Sequence, residues 1–154
     1  MPQTVLLTGI SGFIAKHVAA KLLAAGHTVR GSVRRLDRAD EVRAALAPVA
    51  GPESLERLSF VALDLEADAG WQDAMHGVSA LIHTASPFPV AQPKDPQVLI
   101  RPAVEGTLRA LRAAKAAGVS RVVLTSSTVA VSDTSKSGLQ DEADWCDPNA
   151  ADTS

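Results

Sequence analysis

The sequence predicts an α/β protein in which helices cover both faces of a parallel sheet. Short aliphatic runs alternate with helical patterns along the chain, and 46% of the residues are hydrophobic although only 3% are aromatic. A core of Val, Leu, Ile and Ala suits a parallel sheet that is buried on both faces. Alternating strands and helices require right-handed crossovers. We therefore expect a Rossmann-type doubly wound sheet, with strand order 3-2-1-4-5 in the part present and ligands at the carboxyl ends of strands 1 and 4.

Five segments carry the strand pattern. They are residues 4–7, 28–33, 58–63, 80–83 and 121–124. At 154 residues the chain has the length of one domain rather than two. From Val129 onward the sequence is rich in Ser, Asp, Thr and Gly and shows no sustained periodicity. We expect a Rossmann-type domain over residues 1–128 and a loop or tail over residues 129–154.

Helical periodicity fills the intervals between the strand candidates. One predicted helix carries Val42, Leu46 and Val49, and a short helical turn covers residues 71–75. The first and fourth helices are marked by apolar residues at helical spacing, followed by a glycine that supplies a left-handed stop. These marker sets are Ile14, Val18 and Leu22 before Gly26, and Val104, Leu108 and Leu111 before Gly118.

Charge and cysteine content narrow the class of protein. The net charge is −2, so no nucleic-acid or membrane partner is indicated. The single cysteine, Cys146, excludes an internal disulfide framework, and we expect no metal site. Strand-like sequence begins at Thr4, which leaves no room for a signal peptide, and no apolar run approaches the ~18 residues of a membrane span. A cytoplasmic location is expected.

The first predicted strand runs directly into a glycine-rich turn that opens the first helix. A pyrophosphate can approach the backbone N–H groups at such a helix start, where the helix dipole is positive. Gly9 permits the tight turn, Gly12 removes a Cβ that would block the phosphates, and Ala15 allows helix and strand to pack closely. The alternative is an ordinary βα turn, but the strand–turn–helix context favours a dinucleotide site. Its predicted binding residues are Thr8, Gly9, Ser11, Gly12, Phe13 and Ile14.

Two arginines follow the second predicted strand and indicate which dinucleotide binds. An acidic side chain at this point would hydrogen-bond the ribose 2′-hydroxyl of NAD, but this chain has Arg34 and Arg35. A guanidinium can hold a 2′-phosphate through two charge-assisted hydrogen bonds, whereas a carboxylate would repel it. The alternative is a solvated basic turn, with Arg38 nearby. Position and charge together favour NADP(H).

The spacing Gly-x-x-Gly-x-x-Ala, with Phe13 and Ile14 inside it, resembles the extended short-chain dehydrogenases/reductases. The resemblance spans the whole chain and is greatest to the N-terminal portion of the dihydroflavonol reductase and carbonyl (aldehyde) reductase branch. It implies hydride transfer between NADP(H) and the carbonyl group of a small ketone or aldehyde. The segments that carry it are VRGSVR at 29–34, HTASPF at 83–88, RPAVEGT at 101–107 and LTSS at 124–127.

This resemblance implies further site residues. Asp64 and Leu65 match a pair that borders the adenine, although an aspartate at a strand end also caps turns. The loop after His83 would pass under the nicotinamide ribose, with Pro87 and Phe88 toward the substrate. His83 itself is interpreted as a core histidine, or as one that supports the site without touching the ligand, and not as a general base. Ser127 matches the catalytic serine that hydrogen-bonds the carbonyl oxygen, although strand-end serines are also common turn formers. The remaining implied cofactor contacts are Thr84, Ala85, Ser86, Thr125 and Ser126.

The proton donor of the family is a tyrosine that acts with a lysine, and this sequence contains no tyrosine. We therefore expect the chain to be the cofactor-binding N-terminal part of an NADP-dependent reductase, and to be inactive alone. On this interpretation the Rossmann domain of residues 1–128 is incomplete, and residues 129–154 lead to an absent second half. The fourth predicted helix offers a surface for a homodimer in the intact parent. Two alternatives stay open: an NAD-dependent nucleotide-sugar epimerase or dehydratase, and a non-catalytic NADP(H)-binding sensor. Arg34 disfavours the first alternative, and the conventional segment around Ser127 gives no support to the second.

Overall fold

A computed structural model describes residues 1–87, 93–132 and 137–147 of the chain. The chain divides into two compact units, Met1–Leu124 and Thr125–Ser154. This division falls a few residues before the predicted domain end at 128, which stays a prediction. Phe88, expected to face a substrate, lies outside the described residues.

The first unit contains five strands and five helices among its described residues. The strands are β1 Thr4–Thr8, β2 Thr28–Val33, β3 Leu58–Ala62, β4 Ala80–His83 and β5 Arg121–Leu124. The helices are α1 Phe13–Ala24, α2 Ala39–Ala50, α3 Pro52–Leu55, α4 Trp71–Met75 and α5 Gln97–Ala116. A 3-10 turn over Leu36–Arg38 precedes α2.

All strand pairs in the sheet are parallel, and their order is β3-β2-β1-β4-β5, which confirms the predicted fold class. The chain leaves β1 toward β2 on one side and later returns to β4 on the other. This reversal places Thr8, at the end of β1, opposite His83, at the end of β4. A crevice opens at such a switch point because the connections on its two sides run in opposite directions.

Two apolar clusters lie on the two faces of the sheet. Leu6 and Leu7 are adjacent in β1, yet Leu6 packs with α4 and α5 while Leu7 packs with α1 and α2. Successive side chains of a strand point to opposite faces, so β1 contributes to both clusters. The result is three layers, with the sheet in the middle and its central strands buried on both sides.

The most buried residues of α1 lie one position after Ile14, Val18 and Leu22, although Val18 and Leu22 still pack against the core. Ala15, Ala19 and Leu23 are buried in α1, whereas Ile14 is 58% exposed. Small side chains let the helix approach the sheet closely, and their spacing is as helical as that of Ile14, Val18 and Leu22.

In α5 the buried residues are Gly106, Ala110 and Ala114. Val104 and Leu108, which marked the predicted helix, are 51% and 40% exposed. All three markers of the second predicted helix lie in α2, where Val42 and Leu46 are buried and Val49 is 68% exposed. Both glycine stops are also confirmed, since Gly26 and Gly118 have φ values of 83° and 73°.

The second unit is described over residues 125–132 and 137–147. A 3-10 turn covers Thr128–Ala130, and the backbone N–H of Cys146 donates a hydrogen bond to the carbonyl oxygen of Ala130 at 3.0 Å. Within the described ranges of the whole chain, no helix combines the length and the apolar character needed to cross a bilayer.

Candidate functional site

A cavity of about 280 Å³ lies in the first unit at the carboxyl ends of β1, β2, β3 and β4. The ends of these four strands and the loops that follow them supply most of its wall. They contribute Thr8, Gly9, Ser11 and Gly12; Ser32, Val33 and Arg34; Leu63, Asp64, Leu65 and Glu66; and Thr84, Ala85, Ser86 and Pro87. Trp71 and Pro102 complete the lining.

The glycine loop leaves the start of α1 open toward this cavity. Gly9 has a φ of 67°, a value that side-chain-bearing residues rarely adopt, and the N–H of Gly12 donates to the carbonyl oxygen of Gly9 at 2.9 Å. Gly12 occupies the N-cap position of α1, and no side chain caps this helix. The first N–H groups of a helix lack partners within it. An anion can therefore bind here to backbone donors that no side chain of α1 has satisfied.

Ser32, at the end of β2, ties the glycine loop to the neighbouring strand. Its hydroxyl accepts a hydrogen bond from the Gly9 N–H at 3.1 Å, and its carbonyl oxygen accepts one from the Ile10 N–H at 3.0 Å. Sequence reasoning missed Ser32, because its contact with Gly9 depends on the pairing of two strands. The remaining lining residues outside the predicted set are Val33, Leu63, Glu66, Trp71 and Pro102.

Thr8 connects the glycine loop to the segment after β4. Its Oγ1 accepts hydrogen bonds from the backbone N–H groups of Thr84 and Ala85, both at 3.1 Å. The hydroxyl of Thr84 donates to the carbonyl oxygen of Thr8 at 2.6 Å. His83 Nδ1 lies 2.8 Å from Thr8 Oγ1, and the His83 side chain is 1% exposed, which confirms it as a core histidine. Burial lowers the pKa of His83 below its usual value.

Arg34 and Arg35 differ in their surroundings. The Arg34 side chain is exposed, lines the cavity, and has no hydrogen-bond or ion-pair partner among the described residues. Arg35 instead pairs with Asp37, which raises the pKa of Arg35 and lowers that of Asp37 through hydrogen bonding. Arg35 is not among the lining residues. The structure therefore brings only the first of the two predicted arginines to the cavity.

The loop after β3 is held by its own hydrogen bonds. Asp64 Oδ1 accepts from the Glu66 N–H at 2.9 Å, so this side chain caps the turn as well as lining the cavity. The Trp71 indole N–H donates to the carbonyl oxygens of Asp64 and Ala67 at 3.1 and 3.0 Å. The capping interpretation of Asp64 is thus correct, and its contact with the adenine stays a prediction.

Two predicted site residues at the start of α1 do not line this cavity. Phe13 and Ile14 begin α1, are 78% and 58% exposed, and do not line it. Ser127 belongs to the second unit with Thr125 and Ser126, and its Oγ accepts a hydrogen bond from the Val129 N–H at 3.3 Å. Ser127 therefore forms a turn, as one interpretation predicted, while its catalytic role stays a prediction. Among the described residues, no group of three or more His, Cys, Asp or Glu is placed to hold a metal ion.

The doubly wound sheet, with a cavity at its switch point between β1 and β4, defines a protein of the Rossmann class. The profile of the NAD dependent epimerase/dehydratase family matches residues 5–151. The chain belongs to this family.

Among curated relatives, dihydroflavonol 4-reductase of Zea mays is 37% identical over 147 residues, which cover 94% of this chain and 40% of the relative. Cinnamoyl-CoA reductase 1 of Petunia hybrida is 38% identical over 150 residues, covering 96% of this chain and 43% of the relative. A similar solved structure is the yeast methylglyoxal/isovaleraldehyde reductase complexed with NADPH. It shares 30% identity and a TM-score of 0.79, covering 97% of this chain and 45% of that one. The chain thus spans less than half the length of these relatives.

Proposed function

We propose that this chain is the NADP(H)-binding part of a reductase that converts ketone or aldehyde carbonyls to alcohols. The observation that carries the proposal is the unpartnered guanidinium of Arg34, which lines the same cavity as the open glycine loop. The glycine loop offers backbone donors for a pyrophosphate, and Arg34 offers a cation for a 2′-phosphate. An NAD-binding epimerase would favour an acidic residue in place of Arg34.

The lining residues fit a dinucleotide in an ordered way. Gly9 and Gly12 would receive the pyrophosphate at the start of α1, because neither residue adds a side chain to the space above the helix. Asp64 and Leu65 would border the adenine, and Thr84 to Ser86 would lie along the nicotinamide ribose. When bound, NADPH supplies the hydride that reduces a carbonyl carbon.

Relatives support the reductase assignment over other chemistries of the family. The maize and petunia proteins are named as reductases, and the yeast reductase was crystallised with NADPH. A small carbonyl compound is the proposed substrate. Ser127 would donate a hydrogen bond to the carbonyl oxygen as negative charge develops on it, which is how a fixed hydroxyl stabilises such a transition state.

The sequence contains no tyrosine, so the proton donor typical of the resembling reductases is absent from these 154 residues. General acid catalysis of this kind is typically worth about 10²–10⁴-fold in rate. We therefore propose that the chain binds NADPH but does not turn over carbonyl substrates at a useful rate. Exposed Val104 and Leu108 on α5 offer an apolar surface for a homodimer of the whole protein.

The proposal is tested by titrating the mass-verified 154-residue chain with NADPH and then assaying NADPH oxidation with a panel of ketones and aldehydes. We expect saturable binding and no turnover above background. Failure to bind NADPH would contradict the cofactor assignment. Turnover at the rate of an ordinary reductase, lost in Ser127→Ala, would instead show that a complete active site exists here without tyrosine.

A further inference from the structure

His83 is a buried histidine outside the cavity, and no step proposed above uses it. Its Nδ1 lies 2.8 Å from the hydroxyl oxygen of Thr8, whereas its Nε2 is buried and has no hydrogen-bond partner among the described residues. The two side chains face each other across the paired ends of β4 and β1. These contacts determine which nitrogen of the imidazole carries the proton.

The hydroxyl group of Thr8 has one hydrogen to donate and two lone pairs with which to accept. Both lone pairs are used, because the backbone N–H groups of Thr84 and Ala85 point to Oγ1 at 3.1 Å. The hydroxyl hydrogen must then serve the third neighbour, which is His83 Nδ1. Nδ1 is therefore an acceptor, and the proton of the neutral ring is on Nε2.

A charged imidazolium does not fit this arrangement. It would present an N–H at Nδ1 toward an oxygen whose lone pairs are already occupied, whereas the N–H at Nε2, which has no partner among the described residues, is common to the charged ring and to the neutral tautomer. Burial acts in the same direction, since it lowers the pKa of His83. Hydrogen bonding and desolvation thus both favour the neutral ring.

We infer that His83 is a positioning residue for the dinucleotide site: as the neutral Nε2–H tautomer, it accepts the Thr8 hydroxyl hydrogen and so directs the Thr8 lone pairs toward the two amides that follow β4. This inference rests on the proposed function, because the site is the NADP(H) cavity. It assigns to a residue that does not line the cavity the role of fixing the loop on which the ligand would lie.

Ala85 links the Thr8–His83 pair to the glycine loop of the cavity. A Cβ added to Gly9 would lie 3.0 Å from Ala85 Cα, so the glycine loop and the loop after β4 are in close contact. Thr84 and Ala85 both line the cavity. If Thr8 does not hold the amide of Ala85, Ala85 can shift. Because Ala85 contacts Gly9, the backbone donors proposed for the pyrophosphate would shift as well.

The tautomer is tested directly by ¹⁵N NMR of the chain labelled at histidine. The sequence has four histidines, and the spectrum of His83→Asn identifies the signals of His83 by their loss. We expect an unprotonated Nδ1 that accepts a hydrogen bond and a protonated Nε2 in the chain without ligand. A protonated Nδ1, or a charged ring at neutral pH, would overturn the inference.

The positioning role is tested with two matched pairs of variants. Thr8→Ser keeps the hydroxyl and Thr8→Val removes it at nearly the same volume; His83→Asn keeps an acceptor near the Nδ1 position and His83→Leu removes it. We expect the second member of each pair to lose about tenfold in hydrogen-exchange protection at the Thr84 and Ala85 amides, and about tenfold in NADPH affinity. Thr8→Ser and His83→Asn should retain most of the hydrogen-exchange protection and most of the NADPH affinity. If His83→Leu does not fold, the Thr8 pair decides.

Two results separate this inference from the proposed function. Absence of NADPH binding by the unaltered chain defeats the proposed function, whereas the imidazole spectrum and the amide protection still decide whether His83 orients Thr8. Equal protection and equal NADPH affinity in Thr8→Val and Thr8→Ser would show that the hydroxyl positions nothing, and would overturn the inference while leaving the NADP(H) site in place.

Discussion

Gly9 lies so close to Ala85 that a Cβ on Gly9 would be 3.0 Å from the Ala85 Cα and 3.1 Å from its Cβ. The glycine loop and the loop after β4 are therefore in contact at the switch point of the sheet. Gly9 also has a φ of 67°. Close approach and backbone conformation both require glycine at this position.

We predict that Gly9→Ala lowers the free energy of unfolding by more than its backbone conformation alone explains. A left-handed φ costs a side-chain-bearing residue about 1–2 kcal/mol, and the contact with Ala85 adds strain to this. Gly26→Ala is the matched control, since Gly26 has a φ of 83° but a Cβ there would meet nothing within 4 Å. Urea denaturation of both variants measures the difference. Equal destabilisation would mean that the contact with Ala85 is easily relieved.

Gly12→Val is predicted to abolish dinucleotide binding while leaving the fold mostly intact. Gly12 is exposed with a φ of −71°, which valine can adopt, and an added Cβ would meet only the Gly9 carbonyl oxygen, at 3.2 Å. The branched side chain would nevertheless occupy the space above the start of α1, where a pyrophosphate must approach. Circular dichroism and NADPH titration on one sample separate the two effects. Normal binding by a folded variant would show that the loop is not the phosphate site.

Acid should destabilise the chain partly through His83. Because burial lowers its pKa below the ordinary 6.5, the unfolded chain binds a proton that the folded chain does not. This contribution to stability is fully present above pH 6.5 and is lost as the pH falls toward the lowered value. The slope can reach about 1.4 kcal/mol per pH unit for a single group.

The pH effect is measured by urea unfolding of the wild type, His83→Asn and His76→Gln between neutral and mildly acidic pH. His76 is exposed and serves as the control. We expect a shallower pH dependence in His83→Asn and an unchanged one in His76→Gln. If the free energy of unfolding depends on pH in the same way in all three proteins, a buried neutral His83 is not the cause of the loss of stability in acid.

The sheet could be predicted from the sequence because each strand is a separate aliphatic run bounded by glycine or polar residues. The buried faces of α1 and α5 could not, because both helices bury small residues such as Ala19 and Gly106 and leave large ones exposed. Added to Gly106, a Cβ would lie 2.7 Å from Leu65 Cβ, which shows how closely α5 approaches the loop after β3. A hydrophobic pattern in the sequence points to large apolar residues, whereas the close packing of these helices requires small residues at the contact.

Some residues of the candidate site could likewise be predicted from the sequence, and others could not. The glycine loop and Arg34 are local in sequence, so their motif and position were sufficient to predict them. Ser32 and the pairing of Thr8 with His83 depend on strand register, and the latter pair is separated by 75 positions along the chain. The predicted strand order brings the ends of β1 and β4 together, but nothing in the sequence around His83 indicates which side chain it contacts there. The pairing of Arg35 with Asp37 was also missed, since either arginine could have turned toward the cavity.

The central claim is that Arg34 selects NADP(H) by binding the 2′-phosphate. Calorimetric titration of the wild type, Arg34→Ala, Arg35→Ala and Arg38→Ala with NADPH and NADH tests it most directly. Arg38 pairs with Glu41 at 2.8 Å and does not line the cavity, so Arg38→Ala is the control for lost positive charge.

Charged hydrogen bonds to a well-held phosphate contribute about 1.5–3 kcal/mol, so we expect the wild type to prefer NADPH on the order of 10- to 100-fold. Arg34→Ala should remove most of this preference, Arg35→Ala less, and Arg38→Ala almost none. Equal affinity of the wild type for both cofactors, or a preference that survives in Arg34→Ala, would contradict the account.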